Sequence, residues 1–264
     1  MARWHKRVLR LRASRPWLGV KSLFLPSVVI LSHYRSGFQW FRQICHANLY
    51  RHVTMPPRAR YQHYSVERMP PHPKLDRNAI LLVRDGRDVM VSLYLSSTRD
   101  GPDGTRVWEG SGAPVTFPEF LRQEFMRVRN WKGEVLELRT PADYWSRFNA
   151  DWLENPHVAS VVRYEDLLAD QAAEIRRVWR DLGYDAHLRE PVEIALDFDK
   201  HSPVGANILP GFQRRTAGSW RKVFTAEDLE LFESLAGETM RRLGYAEAPG
   251  GESAPAPLVS APSA

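Results

Sequence analysis

Cysteine is nearly absent from this chain. Cys45 is the single thiol in 264 residues, which excludes an intrachain disulfide and any zinc site built on several cysteines. A long apolar run is also missing, and nothing approaches the ~20 residues that a membrane-spanning helix needs. The apolar residues of Met1 to Leu25 are too scattered for a signal peptide. Acidic residues are missing from one end. No Asp or Glu precedes Glu67, whereas residues 1–66 hold twelve Lys and Arg, so the net +6 of the whole chain leaves −6 for the remainder. These absences fit a protein of a reducing cytoplasm whose N-terminal quarter attracts anions.

What is present is an ordinary globular composition. A hydrophobic content of 43% against 26% charged residues is enough to bury a core in one large domain and excludes a disordered chain. Strand-like runs fall at Ser27–Ser32, Arg60–Tyr64, Ala79–Val83 and Val158–Arg163, each short and rich in apolar, β-branched or aromatic residues. A continuous apolar run such as Ile80–Val83 suits a parallel sheet covered on both faces. Helices are predicted at Phe38–Leu49 and Asp88–Leu95. Another should open at the Thr116–Glu119 capping box and run to Val128. Thr140-Pro141 caps a helix through Trp145 and Phe148. Glu165–Leu182 reads as one helix with Leu168, Ala172, Ile175, Val178, Trp179 and Leu182 along its buried stripe. The final helix starts at Thr225 and buries Leu229, Phe232, Leu235, Met240 and Leu243. Two Leu-Gly-Tyr stops, Leu182–Tyr184 and Leu243–Tyr245, read as similar C-caps. Asp100–Pro114 reads as a mobile loop, Met69–Pro73 as a stiff connector and residues 248–264 as a disordered Pro/Ala/Ser-rich tail. The predicted organisation is a basic segment over 1–21, then one α/β domain over 22–247 with a central parallel sheet flanked by helices.

Three stretches carry charge in places where a fold can use it. In His33–Trp40 a strand runs into a turn containing Arg35, Ser36 and Gly37 and then a helix start. Such a turn gathers backbone N–H groups and the positive end of a helix dipole, which makes it an anion site. It lacks the G-x-x-x-x-G-K-S/T spacing of a nucleoside-triphosphate loop, and with it the Lys-Ser/Thr pair that serves Mg²⁺. In Ala79–Ser92 a second strand reaches Arg84, with Ser92 eight residues on. If the helix begins near Gly86, Arg84 and Ser92 can reach one anion. The alternative is that Arg84-Asp85 and Arg87-Asp88 are ordinary ion pairs. The third stretch, Arg214–Thr225, is a basic loop whose Gly218 lets it fold over a phosphate.

Taken in order, these segments resemble the sulfotransferase family that uses 3′-phosphoadenosine 5′-phosphosulfate (PAPS). Arg35-Ser36-Gly37-Phe38-Gln39-Trp40 is similar to the family's Lys/Arg-Ser-Gly-x-x-Trp element, which cradles the 5′-phosphosulfate. Arg84–Ser92 matches its Arg-Asp-x-Arg-Asp-Val-x-Val-Ser element for the 3′-phosphate. Tyr164–Leu167 matches a Tyr-Glu-Asp-Leu segment whose tyrosine lies by the adenine. Gln213–Trp220 is similar to the family's late glycine-containing basic loop. The resemblance implies a P-loop-like α/β fold and a transferase with PAPS as donor and no metal. Catalytic roles would fall to His63, as general base, and Arg35. Donor contacts would come from Arg35, Ser36, Gly37, Phe38, Gln39, Trp40, Arg84, Ser92, Tyr164, Arg214, Arg215 and Gly218. His63 is placed by its position, twenty-one residues before Arg84 in a chain of nine histidines.

The chain also departs from that pattern. Arg35 stands for the commoner lysine, and Tyr61 occupies a position that often holds lysine. Gln213 and Arg215 replace arginine and glycine, so Arg214 is the firmer phosphate contact of the pair. Phe38 and Gln39 replace small hydroxyl residues. The sequence leaves the acceptor open: a small molecule such as a steroid or phenol, a glycan, a lipid or a peptide would be met by loops at Arg51–Pro57, Asp100–Pro114 and His201–Pro210. Trp108, Trp131, Tyr144 and Trp145 are candidates for an apolar acceptor lining, with the core as their other destination. No specific nucleic-acid partner is expected, although residues 1–21 could touch an acidic membrane. Two other classes stand beside this reading. One is an ATP-dependent small-molecule kinase, which would need Mg²⁺. The other is a non-catalytic basic module, which would bind polyanions with steep salt dependence.

Overall fold

The computed structural model describes residues 28–48, 79–100, 106–109, 112–130, 132–183, 190–195 and 217–245. Its centre is a three-stranded parallel sheet in the order β1 (Val29–Ser32), β2 (Ala79–Val83), β7 (Val158–Arg163). The middle strand is buried along its whole length. Its alternate residues feed two separate cores. Leu31, Leu81 and Val83 join one, while Ile30, Ile80, Leu82 and Val162 join the other. This two-sided burial is why Ile80–Val83 is apolar without alternation.

The two faces are covered by different helices. On one side lie α2 (Gly86–Ser97), α4 (Pro141–Leu153) and α7 (Ala226–Arg242), which contribute Val89, Met90, Trp145, Phe148, Trp152 and Phe232. On the other lie α1 (Phe38–Asn48) and α6 (Gln171–Asp181), with Phe41, Ile44, Ile175 and Val178. Each β1–α1 and β2–α2 junction therefore opens at the carboxyl edge of the sheet, where open α/β sheets present their ligand crevice.

Several sequence expectations need correction. The helix from Thr116 keeps its capping box but ends as α3 (Phe117–Arg122). Met126–Arg129 (β5) instead pairs antiparallel with Val135–Arg139 (β6). Val128 is buried in this hairpin while Arg127 faces out, so the period is two and not 3.6. Glu165–Leu182 is divided into α5 (Tyr164–Ala169) and α6, because Asp170 takes an extended conformation and caps Ala173 N–H at 2.8 Å. Leu168 consequently lies exposed and outside the core stripe. Part of the expected loop after Asp100 is ordered, since Arg106–Trp108 (β4) pairs with Thr98–Asp100 (β3). Tyr144 and Trp145 pack in the core, the other destination open to them. Both glycine stops hold as read, with Gly183 and Gly244 each at φ 74°. The Arg60–Tyr64 run, the Met69–Pro73 connector and residues 1–21 and 248–264 lie outside the described residues, as does Trp131. No helix among the described residues is long and apolar enough to cross a membrane.

Candidate functional site

The first turn joins β1 to α1. Gly37 has φ 87°, which favours glycine, and a Cβ there would fall 2.5 Å from Tyr164 Cδ2. Its carbonyl accepts the N–H groups of Trp40 and Phe41, both at 3.1 Å, and so starts the helix. Arg35 also sits at positive φ, 67°, a conformation that costs an L-residue ~1–2 kcal/mol. The turn holds it there by two contacts to the second strand's helix. Arg35 Nε donates to Ser92 Oγ at 3.1 Å, and Arg35 O accepts from Arg84 Nη1 at 3.3 Å.

The second turn joins β2 to α2, which begins at Gly86 as expected. Asp85 caps the helix, accepting from Arg87 N–H at 2.9 Å, and also takes the Arg87 guanidinium in a bidentate pair at 3.0 and 2.8 Å. The ion-pair alternative is therefore right for Asp85 and Arg87. Arg84 is only 5% exposed and, among the described residues, meets no carboxylate at salt-bridge distance. Its guanidinium lies 4.7 Å from the centre of the Tyr164 ring. Its Nε and Nη2 are buried without a hydrogen-bond partner among the described residues, as is the Ser36 hydroxyl. Buried donors left in this way are costly, and a bound anion is the ordinary remedy.

Tyr164 closes the cleft from the end of β7. Trp40 meets it edge to face with ring centres 5.6 Å apart, and the indole N–H of Trp40 donates to Ile194 O at 2.7 Å. Next to it, Glu165 accepts Asp85 N–H at 3.1 Å and the Tyr245 hydroxyl at 2.7 Å. Burial first, and then the Asp85 charge, push the Glu165 carboxyl up to about 7.

The late loop arrives over α2. The N–H groups of Gly218 and Trp220 donate to Asp88 at 2.8 and 3.0 Å, and Ser219 Oγ lies 3.4 Å from the same carboxylate. Arg87 lies against the Trp220 ring, 4.2 Å from its centre.

The fold thus brings Arg35, Gly37, Trp40, Arg84, Ser92 and Tyr164 into one contiguous cluster at the carboxyl edge of the sheet, with Ser36 in the same turn. Gly218 is fastened one turn along α2. Phe38 turns its side chain into the core beside α1, and Gln39 faces solvent, so neither side chain is built into the cleft wall. His63, Arg214 and Arg215 lie outside the described residues. The carboxylates Asp88 and Glu165 were not singled out by sequence reasoning. The only signal was their place inside the Arg-Asp-x-Arg-Asp and Tyr-Glu-Asp-Leu runs, where each looks like a solvated charge.

A parallel α/β sheet with two arginine-bearing strand–turn–helix junctions at its carboxyl edge is the architecture of open α/β proteins that take anionic ligands at that edge. The profile of the sulfotransferase domain matches residues 32–244, and the chain belongs to that family of PAPS-dependent transferases. Among solved structures, the fold is similar to mouse sulfotransferase SULT7A1 complexed with PAP, the desulfonated product of PAPS. That likeness has a TM-score of 0.51 at 17% identity and covers 82% of this chain and 85% of that one. No curated protein sequence matches the chain.

Proposed function

We propose that the protein moves a sulfuryl group from PAPS to a hydroxyl, or less readily an amine, of a small-molecule, glycan or lipid acceptor. The observation that carries the reading is Arg84, a buried guanidinium beside Tyr164 and the Arg35 turn, two of whose nitrogens have no hydrogen-bond partner among the described residues. The cleft fits the donor, because two arginines on separate junctions match two anionic groups, and Gly37 lets the backbone approach closely.

The donor supplies an activated sulfuryl group on a phosphate leaving group. Arg84 and Ser92 would hold the 3′-phosphate, with Arg214 and Arg215 closing over it, and Tyr164 and Trp40 would flank the adenine. Ser36, Gly37, Phe38 and Gln39 would face the 5′ end chiefly through backbone N–H groups, since residues 38 and 39 carry no small hydroxyl. His63 would take the acceptor's proton as its oxygen bonds to sulfur and the sulfur–oxygen bond to the 5′-phosphate breaks. Arg35 would stabilise the charge that grows on that phosphate. As in phosphoryl transfer, positioning and electrostatics do most of the work. We place this activity in the 22–247 unit of a cytoplasmic protein.

Calorimetric titration with adenosine 3′,5′-bisphosphate (PAP), with ATP as control, tests the donor site. Wild type should prefer PAP, and Arg84→Ala should lose about 1.5–3 kcal/mol of binding, the worth of hydrogen bonds to a charged group. Equal affinity for both nucleotides, or an unaffected mutant, would end the assignment. Undiminished sulfate transfer by His63→Ala would remove that residue from the mechanism.

A further inference from the structure

The three donors that surround Asp88 come from consecutive residues of the late loop, 218 to 220, and the carboxylate they enclose is fully buried. Asp88 itself belongs to the first turn of α2, four residues after Arg84. One short segment therefore carries both the guanidinium of the second junction and the anchor of the loop. The remaining contacts make that segment rigid. Asp85 is held by Glu165, Arg87 is held by Asp85, and Trp220 lies against Arg87. A carboxylate with no exposed surface needs such donors to remain ionised, and the loop needs the carboxylate to satisfy its own N–H groups.

We propose that Asp88 is a positioning residue that latches the Gly218–Trp220 loop to the α2 N-terminus, so that the loop and Arg84 present a single preformed grip to the donor nucleotide. The proposal rests on the donor-site reading above and adds a residue that touches no substrate. Gly218, at φ 81°, turns the chain so that its N–H and that of Trp220 converge on one carboxyl group. Asparagine at position 88 keeps the shape but replaces one acceptor oxygen with a donor, which would face an N–H group. The loop would then detach, and the nucleotide would have to re-order it on binding.

The test separates the latch from the donor site. In Asp88→Asn, the Gly218 and Trp220 amides should exchange hydrogen faster than in wild type without ligand, a readout independent of catalysis. PAP affinity and the KM for PAPS should both weaken by about tenfold, the cost of one lost hydrogen bond to a charged group. The acceptor KM and kcat at saturating donor should stay within about twofold. Should Asp88→Asn fail to fold, Gly218→Ala acts from the loop side. An L-side chain at that φ should give the same faster exchange at Trp220, the readout on which this variant is judged. Unchanged amide exchange, or a folded Asp88→Asn variant with wild-type PAP affinity, would overturn the latch. Wild type that fails to prefer PAP over ATP would instead overturn the donor site and leave the exchange result to judge Asp88 alone.

Discussion

At the scale of single residues, the cleft is held by buried groups whose charges are balanced in unequal ways. Two Arg84 nitrogens have no partner among the described residues, whereas Glu165 is hydrogen-bonded but pushed toward neutrality by burial. The folded protein keeps the Glu165 proton up to about 7, while an unfolded glutamate releases it near the ordinary 4.5. Between those values the folded state binds more protons than the unfolded one, so stability falls as pH rises and levels off above 7. The full shift corresponds to at most about 3 kcal/mol, and partial exposure of Glu165 reduces it. Denaturant midpoints from pH 4.5 to 8 should decline in wild type, and in Glu165→Gln that contribution to the slope should vanish. A mutant slope identical to wild type would mean that another group sets the pH dependence.

At the scale of elements, glycines decide how closely helices can approach. Gly86 opens α2 directly beneath the core, where an added Cβ would lie 2.7 Å from Phe232 Cζ and 3.0 Å from Trp145 Cε3. Both rings are fully buried, so neither can swing away. Alanine is the better helix former, but the clash outweighs that gain. Gly86→Ala should cost about 1–3 kcal/mol in chemical denaturation, as overpacking of a dense core does. An equal or higher midpoint would show that α7 can shift to make room. The same scale explains what local patterns concealed. The Thr116 capping box shows where its helix starts but not how soon it ends, and Asp170 caps a new helix inside a run whose apolar stripe reads as continuous. Arg127–Val128 and Leu136–Leu138 became a hairpin because each strand found the other, and no local propensity records that pairing.

At the scale of the molecule, the cleft joins three parts of the chain that lie far apart in sequence: the β1–α1 turn, the β2–α2 turn with its loop, and the end of β7. A ligand that binds all three stabilises the whole fold by mass action. PAP at a hundred times its dissociation constant should add about 2.7 kcal/mol. For a domain of this size that is a rise of about 5–10 °C in Tm. ATP at the same concentration should give a markedly smaller shift in thermal melts, and an equal shift would count against selectivity for a 3′-phosphate.

The sequence by itself determined the strands of the parallel sheet, the two basic strand–turn–helix junctions and the offsets of Arg35, Gly37, Arg84 and Ser92 within them, while Tyr164 was marked by the family resemblance. Those features are local: an apolar strand, a glycine that alone tolerates its φ, and basic side chains at fixed offsets from a helix start. Only the tertiary structure decided that Arg87 pairs with Asp85 while two Arg84 nitrogens find no partner among the described residues, that Asp88 holds the late loop, and that burial pushes the Glu165 carboxyl up. Each of those outcomes depends on burial and on partners 49 or more residues away, except the Arg87–Asp85 pair, which forms at the helix N-cap where Asp85 also accepts the Arg87 N–H. A charge in a sequence has a sign, but only its surroundings give it a partner and a cost.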